Sequence, residues 1–304
     1  MPSNQSPLGA LPSRFKRERL LIIGCGDVGQ RVVRVQRHVR VVALTSSPAR
    51  VAALRAQGVT PVVGNLDAPA SLQRLAGWAT RVLHLAPPPL QGSTDPRTLA
   101  LTRLWMRRSA PRSVVYGSTS GVYGDCGGAW VAENRLVSPI TPRAQRRVDA
   151  EARVRHLGRL RSSAIRVSVL RIPGIYAPDR EGGTPRERLL RGTPVLARAD
   201  DVFTNHIHAD DLGRACQLAL WRGHPQRTYN VNDDSQMLMG DYFDRAAGLY
   251  GLAQPPRISR AEAQAELPAM QLSFMSESRR MVNTRMKREL RLQLRYPTIE
   301  DGLA

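Results

Sequence analysis

The sequence predicts an α/β fold, a doubly wound parallel sheet with a smaller C-terminal region, on three observations. Short apolar runs alternate with helical patterns at βαβ spacing through the first half of the chain. The first run, Leu20–Ile23, leads into the glycine-rich turn Gly24-Cys25-Gly26-Asp27-Val28-Gly29. After Arg171 the alternation loosens into stretches rich in Pro, Gly and polar residues.

The elements follow in order. A helix is expected from about Val28 to Gln36 and a strand over Val39–Leu44. Ser47-Pro48 reads as N-cap and first residue of a helix reaching about Gln57. A strand near Val59–Val63, a helix over Pro69–Ala76, a strand at Arg81–Leu85, a helix at Pro96–Arg108 and a strand at Ser113–Tyr116 continue the alternation. A longer helix from Pro142 to about His156 and a strand at Ala164–Arg171 complete the first half. Residues 173–194 read as loops with one short helix, 205–219 as a strand end entering a helix, 228–231 as a strand, and the last part as mostly helical. This divides the chain into a tail (1–18), a Rossmann-type nucleotide-binding unit (19–171 with 203–232) and a smaller substrate-binding region (172–202 with 233–304). The smaller region is expected to cap the C-terminal edge of the sheet, where open α/β sheets bind ligands.

Composition narrows the function. The net charge of +20 over 304 residues suggests an anionic partner, yet Lys16 and Lys287 are the only lysines and the arginines are spread along the chain. With few aromatics between them for base stacking, phosphate-bearing small ligands explain the charge better than nucleic acid does. Cys25, Cys126 and Cys216 lack disulfide-framework or zinc spacing, so no metal is expected. No apolar run reaches signal-peptide or membrane-span length, and the reading is a cytoplasmic protein without membrane contact. Oligomeric state is not legible; a homodimer is admissible.

The glycine turn has the context that dinucleotide binding requires: it follows a strand and opens a helix within a βαβ unit. The first glycine serves the tight turn, the second lets a pyrophosphate approach, and the third packs helix on strand. The helix N-terminus adds unpaired N–H groups and a positive dipole end. Cys25 is read as a small buried filler. A site selective for NAD places an acidic residue after the second strand, but none occurs between Val28 and Leu66. The expected place holds Thr45, Ser46, Ser47 and Arg50, which suit a ribose 2′-phosphate. NADP is therefore favoured over NAD.

Several later segments resemble the extended short-chain dehydrogenase/reductases, the NAD-dependent epimerase/dehydratase group, along nearly the whole chain. They are Gly117-Ser118-Thr119-Ser120-Gly121-Val122-Tyr123-Gly124, Leu170-Arg171-Ile172-Pro173-Gly174-Ile175-Tyr176-Ala177-Pro178, the stretch from Asn205 through His206 and His208 to Asp210-Asp211-Leu212, and Tyr229-Asn230-Val231. The end, from Arg288-Glu289-Leu290 through Tyr296-Pro297 to Gly302-Leu303, is similar to atypical members. The resemblance implies that Gly24, Gly26, Asp27, Val28, Gly29, Ser46, Arg50, Asn65, Leu66, Leu85, Ala86, Pro87, Ser118, Arg147, Pro173 and Ile175 bind the cofactor. It implies Thr119 as the catalytic hydroxyl; under an enzyme reading some other acid, Tyr123, Tyr176 or His206, is expected to supply the proton. His206 and His208 are read with one facing the pocket and the other packing, and Asp210 and Asp211 as caps of the helix that follows.

The departure lies in Thr141-Pro142-Arg143-Ala144-Gln145-Arg146-Arg147, followed by Glu151. The family's tyrosine and lysine fall on Arg143 and Arg147, and its acidic pair before Val122 on Ser120 and Gly121. Arginine keeps its proton near neutral pH, which excludes Arg143 as general acid or base, while Arg147 retains hydrogen bonding to the nicotinamide ribose. Two readings stay open: an NADP-dependent oxidoreductase or epimerase-like enzyme with a non-standard site for a small anionic or phosphorylated substrate, and a non-catalytic NADP-binding sensor or regulator. As neighbours four apart on one helix face, Arg143 and Arg147 are expected to welcome an anion.

Overall fold

Seven strands form the central sheet of the computed structural model: β1 (Arg19–Ile23), β2 (Arg40–Thr45), β3 (Thr60–Val63), β4 (Arg81–His84), β5 (Ser113–Thr119), β6 (Arg166–Ile172) and β7 (Arg227–Asn230). Every neighbouring pair is parallel, in the spatial order β7-β6-β5-β4-β1-β2-β3. This is the doubly wound order, and strand succession reverses between β1 and β4. The structure describes residues 18–36, 38–160 and 165–303. The expected tail lies outside them except for Glu18, which accepts from Arg81 at 3.2 Å.

The helices α1 (Asp27–Arg34), α2 (Val51–Ala56), α3 (Pro96–Met106), α4 (Pro142–Leu160) and α5 (Ala209–Arg222) cover both faces, while α6 (Met239–Tyr250) packs in a separate core with Tyr176, Leu189 and Ile299. Strand β1 is apolar after Arg19 because both of its faces are covered, and Leu20 to Ile23 are wholly buried. Leu20 and Ile22 join α1 and α5 in one core, whereas Leu21 and Ile23 join α3 and α4 in the other. Alternation along one strand thus welds two layers to the sheet. Pro61 sits on β3, the edge strand, where a missing N–H costs least.

Several elements differ from the sequence expectation. Residues Pro69–Leu75 form 3-10 turns instead of an α-helix, and Pro48–Arg50 make a 3-10 turn ahead of α2. The Ser47 side chain makes no capping bond; its backbone N–H instead donates to Thr45 Oγ1 at 3.2 Å. Strand β5 runs three residues beyond Tyr116, which brings Ser118 and Thr119 onto the sheet edge. Helix α5 is capped by His208, whose Nδ1 accepts from the Asp210 N–H at 3.2 Å. Asp210 instead pairs with Arg31, and Asp211 accepts the backbone N–H groups of Arg295 and Tyr296, each at 2.9 Å from Oδ2. The two aspartates therefore tie distant segments together instead of capping.

The later chain adds short two-stranded ribbons, pairing residues 174–176 with 206–208, 203–204 with 237–238, and 130–131 with 280–281. Met286, Leu290 and Leu292 pack in the α1/α5 core, so this stretch of the C-terminal region is buried against the sheet's own layer. No helix among the described residues is long and apolar enough to cross a membrane.

Candidate functional site

The glycine turn follows from sterics. Gly24 has φ +86, and a Cβ there would come within 2.5 Å of the Ala86 backbone nitrogen, so only glycine fits between β1 and the segment after β4. A Cβ on Gly29 would meet the Gly24 carbonyl at 3.2 Å, where helix and strand pack closely. A Cβ on Gly26 would meet nothing within 4 Å; the space above it is an open cradle. Gly26 is also the N-cap of α1 and supplies no side chain to its first-turn N–H groups, which are left for an anion. The turn thus has the shape and donors that a pyrophosphate needs.

Three contiguous pockets run from this turn across the C-terminal ends of the strands. The first, about 440 Å³, is lined by Gly24, Gly26, Ser46, Arg50, Asn65, Leu66, Leu85, Ala86 and Pro87, joined by Thr45, Ser47 and Arg97. Arg50 spans it, its Nη2 donating to the Cys25 carbonyl at 2.6 Å. The second, about 310 Å³, shares Gly24, Gly26 and Leu85 with the first and adds Asp27, Val28, Gly29, Ser118, Thr119, Arg147, Pro173, Ile175 and Arg180. Every cofactor residue expected from the sequence lines one of these two pockets. Most of these residues lie at or just after the C-terminal end of a strand, which is why one sheet edge collects residues so far apart in the chain; Arg97 and Arg147 reach it from helices α3 and α4.

Asp27, in the first turn of α1, would oppose an arriving phosphate were it alone. It accepts from Arg31 at 3.0 Å and from Arg180 at 2.7 Å, and Arg31 also pairs with Asp179 at 2.6 Å. Ser118 donates to Glu151 Oε1 at 2.7 Å, and Glu151 forms a buried double contact with Arg171 at 3.2 and 2.8 Å. This pair fixes the Ser118 hydroxyl from behind the cleft. Arg147 Nη1 donates to the Gly117 carbonyl at 2.7 Å and to the Tyr116 hydroxyl at 3.0 Å. Burial pushes Tyr116 up to about 12, so it holds Arg147 as a neutral phenol and does not ionise. Its neighbour His84 is driven by burial down to about 3, and its Nε2 meets Thr98 Oγ1 at 2.9 Å.

The third pocket, about 290 Å³, shares Thr119, Arg147 and Pro173 with the second and extends to Arg143, Glu277 and Arg279. Thr119 Oγ1 accepts from the Gly121 N–H at 3.3 Å, which leaves its own proton to donate. A Cβ built on Gly121 would lie 3.8 Å from both Thr119 Oγ1 and Glu277 Oε2. A hydroxyl and a carboxylate thus converge on the spot where a side chain at 121 would begin.

Three expected proton sources are not in the cleft. Tyr123 is buried, donates to Asn230 Oδ1 at 2.6 Å and lies under the Arg171 guanidinium. Tyr176 is buried and donates to the Thr298 carbonyl at 3.1 Å. Desolvation raises the hydroxyl pKa of both tyrosines. His206 stacks on Tyr242 with ring centroids 4.1 Å apart, and burial takes it down to about 4. His206 and His208 do not diverge either; two positions apart on a strand they share a face, and both present to Tyr176. Arg97, Arg180, Glu277 and Arg279 escaped the sequence reading. Each sits outside any motif, and only the tertiary fold brings it to the cleft.

Comparison with known proteins accords with this geometry. Residues 20–83 match the TrkA-N domain. A conserved protein of unknown function from Silicibacter pomeroyi DSS is 30% identical, with a TM-score of 0.78 over 94% of this chain and 96% of its own. The chain belongs to one family with that protein. An uncharacterised Mycobacterium tuberculosis protein is 30% identical over 200 residues, 62% of this chain and 52% of its own length. The chain thus spans about half the length of the curated relatives it matches. The fold is also that of a double mutant of DesIV, a dTDP-glucose 4,6-dehydratase from Streptomyces venezuelae solved with NAD and DAU bound. That protein shares 18% identity and a TM-score of 0.75 over 94% of each chain.

Proposed function

We propose that this chain is an NADP-dependent oxidoreductase or epimerase-like enzyme whose proton is handled by Glu277 instead of a tyrosine. The observation that carries the reading is the continuous cleft: a glycine cradle with free helix N–H groups at one end, and Thr119 with Glu277 converging at the other. A bound nicotinamide nucleotide supplies the hydride acceptor or donor. This chain's residues supply the rest. Arg50, with Thr45 and Ser46, would hold the 2′-phosphate, and Arg147 the nicotinamide ribose. Thr119 orients the substrate oxygen by donating to it. In the oxidative direction Glu277 would accept the proton of the substrate hydroxyl as that oxygen becomes a carbonyl. The free hydroxyl proton of Thr119 beside the Glu277 carboxylate in the cavity favours the enzyme over a sensor.

The experiment is competitive retention. The full chain is incubated with equimolar NADPH and NADH, freed of excess, denatured, and the released nucleotide weighed by mass spectrometry. NADPH in clear excess supports the reading; NADH in excess overturns the NADP preference, and neither nucleotide overturns the reading itself.

A further inference from the structure

The N-terminal ends of the strands lie opposite the nucleotide cleft, and the fold gathers arginines there that are scattered in the sequence. Taken in spatial order from β7 to β2, six neighbouring strands begin with Arg227, Arg166, Arg112 (directly before β5), Arg81, Arg19 and Arg40. Pairing keeps them level. Arg19 is in register with Arg40, and the Arg166 N–H donates to the Arg112 carbonyl at 2.9 Å. Helices α1 to α5 run back towards this same end and carry Arg34, Arg55, Arg103, Arg159 and Arg222 in their last turns. Each helix C-terminus offers about half a negative charge, which these last-turn residues meet.

Carboxylates are few here. Glu18 pairs with Arg81 at 3.2 Å and with Arg112 at 3.8 Å, and Glu289 pairs with Arg227 at 3.0 Å. The next acids inward are already engaged, Glu151 with Arg171 at 2.8 Å and Glu133 with Arg285 at 3.6 Å. The connections entering the strands (34–39, 57–59, 76–80, 107–112, 161–165 and 223–226) contain no acidic residue, and none precedes Glu18. Asp27, Asp67, Asp95, Asp125 and Asp179 all follow strands, at the opposite end. Arg40, Arg108, Arg112 and Arg159 are exposed. Among the described residues, no carboxylate pairs with Arg40, Arg108 or Arg159.

Shape and chemistry select the partner. At the ordinary strand spacing the row is about 24 Å long, and sheet twist turns it by about 100° from end to end. A twisted row follows a helical phosphate backbone, whereas a flat lipid surface would touch only part of it. Val35 and Leu160 are the large apolar side chains exposed at this end, too little to insert into a bilayer. Guanidinium forks match phosphate oxygens in pairs. Trp78 and Trp221 already lie beneath Arg40 and Arg81, 5.9 and 4.7 Å from the ring centroids, so they do not serve as platforms for bases. Contacts to phosphate alone carry no sequence information.

We propose that this strand-start edge is a docking face for the phosphate backbone of duplex nucleic acid, bound without sequence preference. It does not rest on the nucleotide reading of the cleft.

The probe is a fluorescein-labelled DNA duplex of about 20 base pairs, titrated with the full chain by anisotropy between about 50 and 200 mM salt. Binding should be micromolar at the low end, weaken steeply with salt and be the same for unrelated sequences. Arg108→Gln combined with Arg112→Gln should weaken it about tenfold and make the log–log salt slope shallower by about two. Arg135→Gln combined with Arg186→Gln removes the same charge from exposed positions away from this edge and should change both far less. No binding at low salt, or equal losses in the two double variants, overturns the face. Polyglutamate or phosphatidylglycerol vesicles displacing the duplex at equal charge would assign the edge to an acidic protein or a lipid surface and overturn the nucleic-acid claim. Saturating NADPH should leave duplex affinity unchanged; competition would put the DNA in the cleft and overturn the proposal.

Discussion

The Arg50 guanidinium crosses the nucleotide pocket to the Cys25 carbonyl, 2.6 Å away, joining the segment after β2 to the glycine turn after β1. A 2′-phosphate in this pocket would give Arg50 a charged acceptor in place of a neutral one. Replacing Arg50 by Ala should weaken NADPH by about 1.5 to 3 kcal/mol and change NADH little. Equal losses for the two nucleotides in a fluorescence titration would remove Arg50 from the phosphate site.

Gly24 and Gly26 should respond differently to alanine. Gly24→Ala forces a left-handed backbone on a Cβ that collides with Ala86, and should cost about 2 kcal/mol or more of stability. Gly26→Ala meets no protein atom and should leave the melting temperature nearly unchanged while weakening both nucleotides by filling the cradle. If Gly26→Ala binds nucleotide like the parent, the cradle is not the pyrophosphate site.

The buried Glu151–Arg171 pair predicts a stability effect behind the cleft, both side chains being 5% exposed. Glu151→Ala strands a buried guanidinium and should destabilise the chain by about 3 to 5 kcal/mol in urea unfolding. A loss under 1 kcal/mol would mean that water reaches Arg171.

Acid stability should carry the signature of His84. Burial lowers its folded value to about 3, below the ordinary histidine range, so the unfolded chain takes up a proton that the folded chain refuses. Stability from this group is intact above about pH 6.5 and declines as pH falls towards 3, by up to about 1.4 kcal/mol per pH unit. His206 acts in the same direction. Asp233 opposes them, because burial raises its pKa and its share of stability fades as pH rises. The difference between parent and His84→Gln isolates His84: between pH 6.5 and 5 the variant's stability should fall less steeply. Parallel slopes would contradict a neutral buried imidazole.

Much of the nucleotide end was legible because strand, glycine turn and helix are contiguous in sequence and their roles are local. The pocket residues after β2, β3 and β4 were legible for the same reason, each adjoining its strand. The Thr119–Glu277 end of the cleft was not. Glu277 and Arg279 enter from the C-terminal region, more than 150 residues from Thr119 in sequence, on a short segment with no periodic pattern. Tyr123 and Tyr176 show the converse: they adjoin motif residues, yet the backbone turns both rings into the core. The 3-10 turns at 69–75 were misread as α-helix because proline and apolar spacing suit both forms.

The most direct test of the account is the ratio of dissociation constants for NADPH and NADH, measured by calorimetry on the unmodified full chain. The account predicts NADPH tighter by at least about tenfold, the share of about 1.4 kcal/mol that a charged contact at Arg50 would contribute. NADH binding as tightly as NADPH, or more tightly, would contradict it.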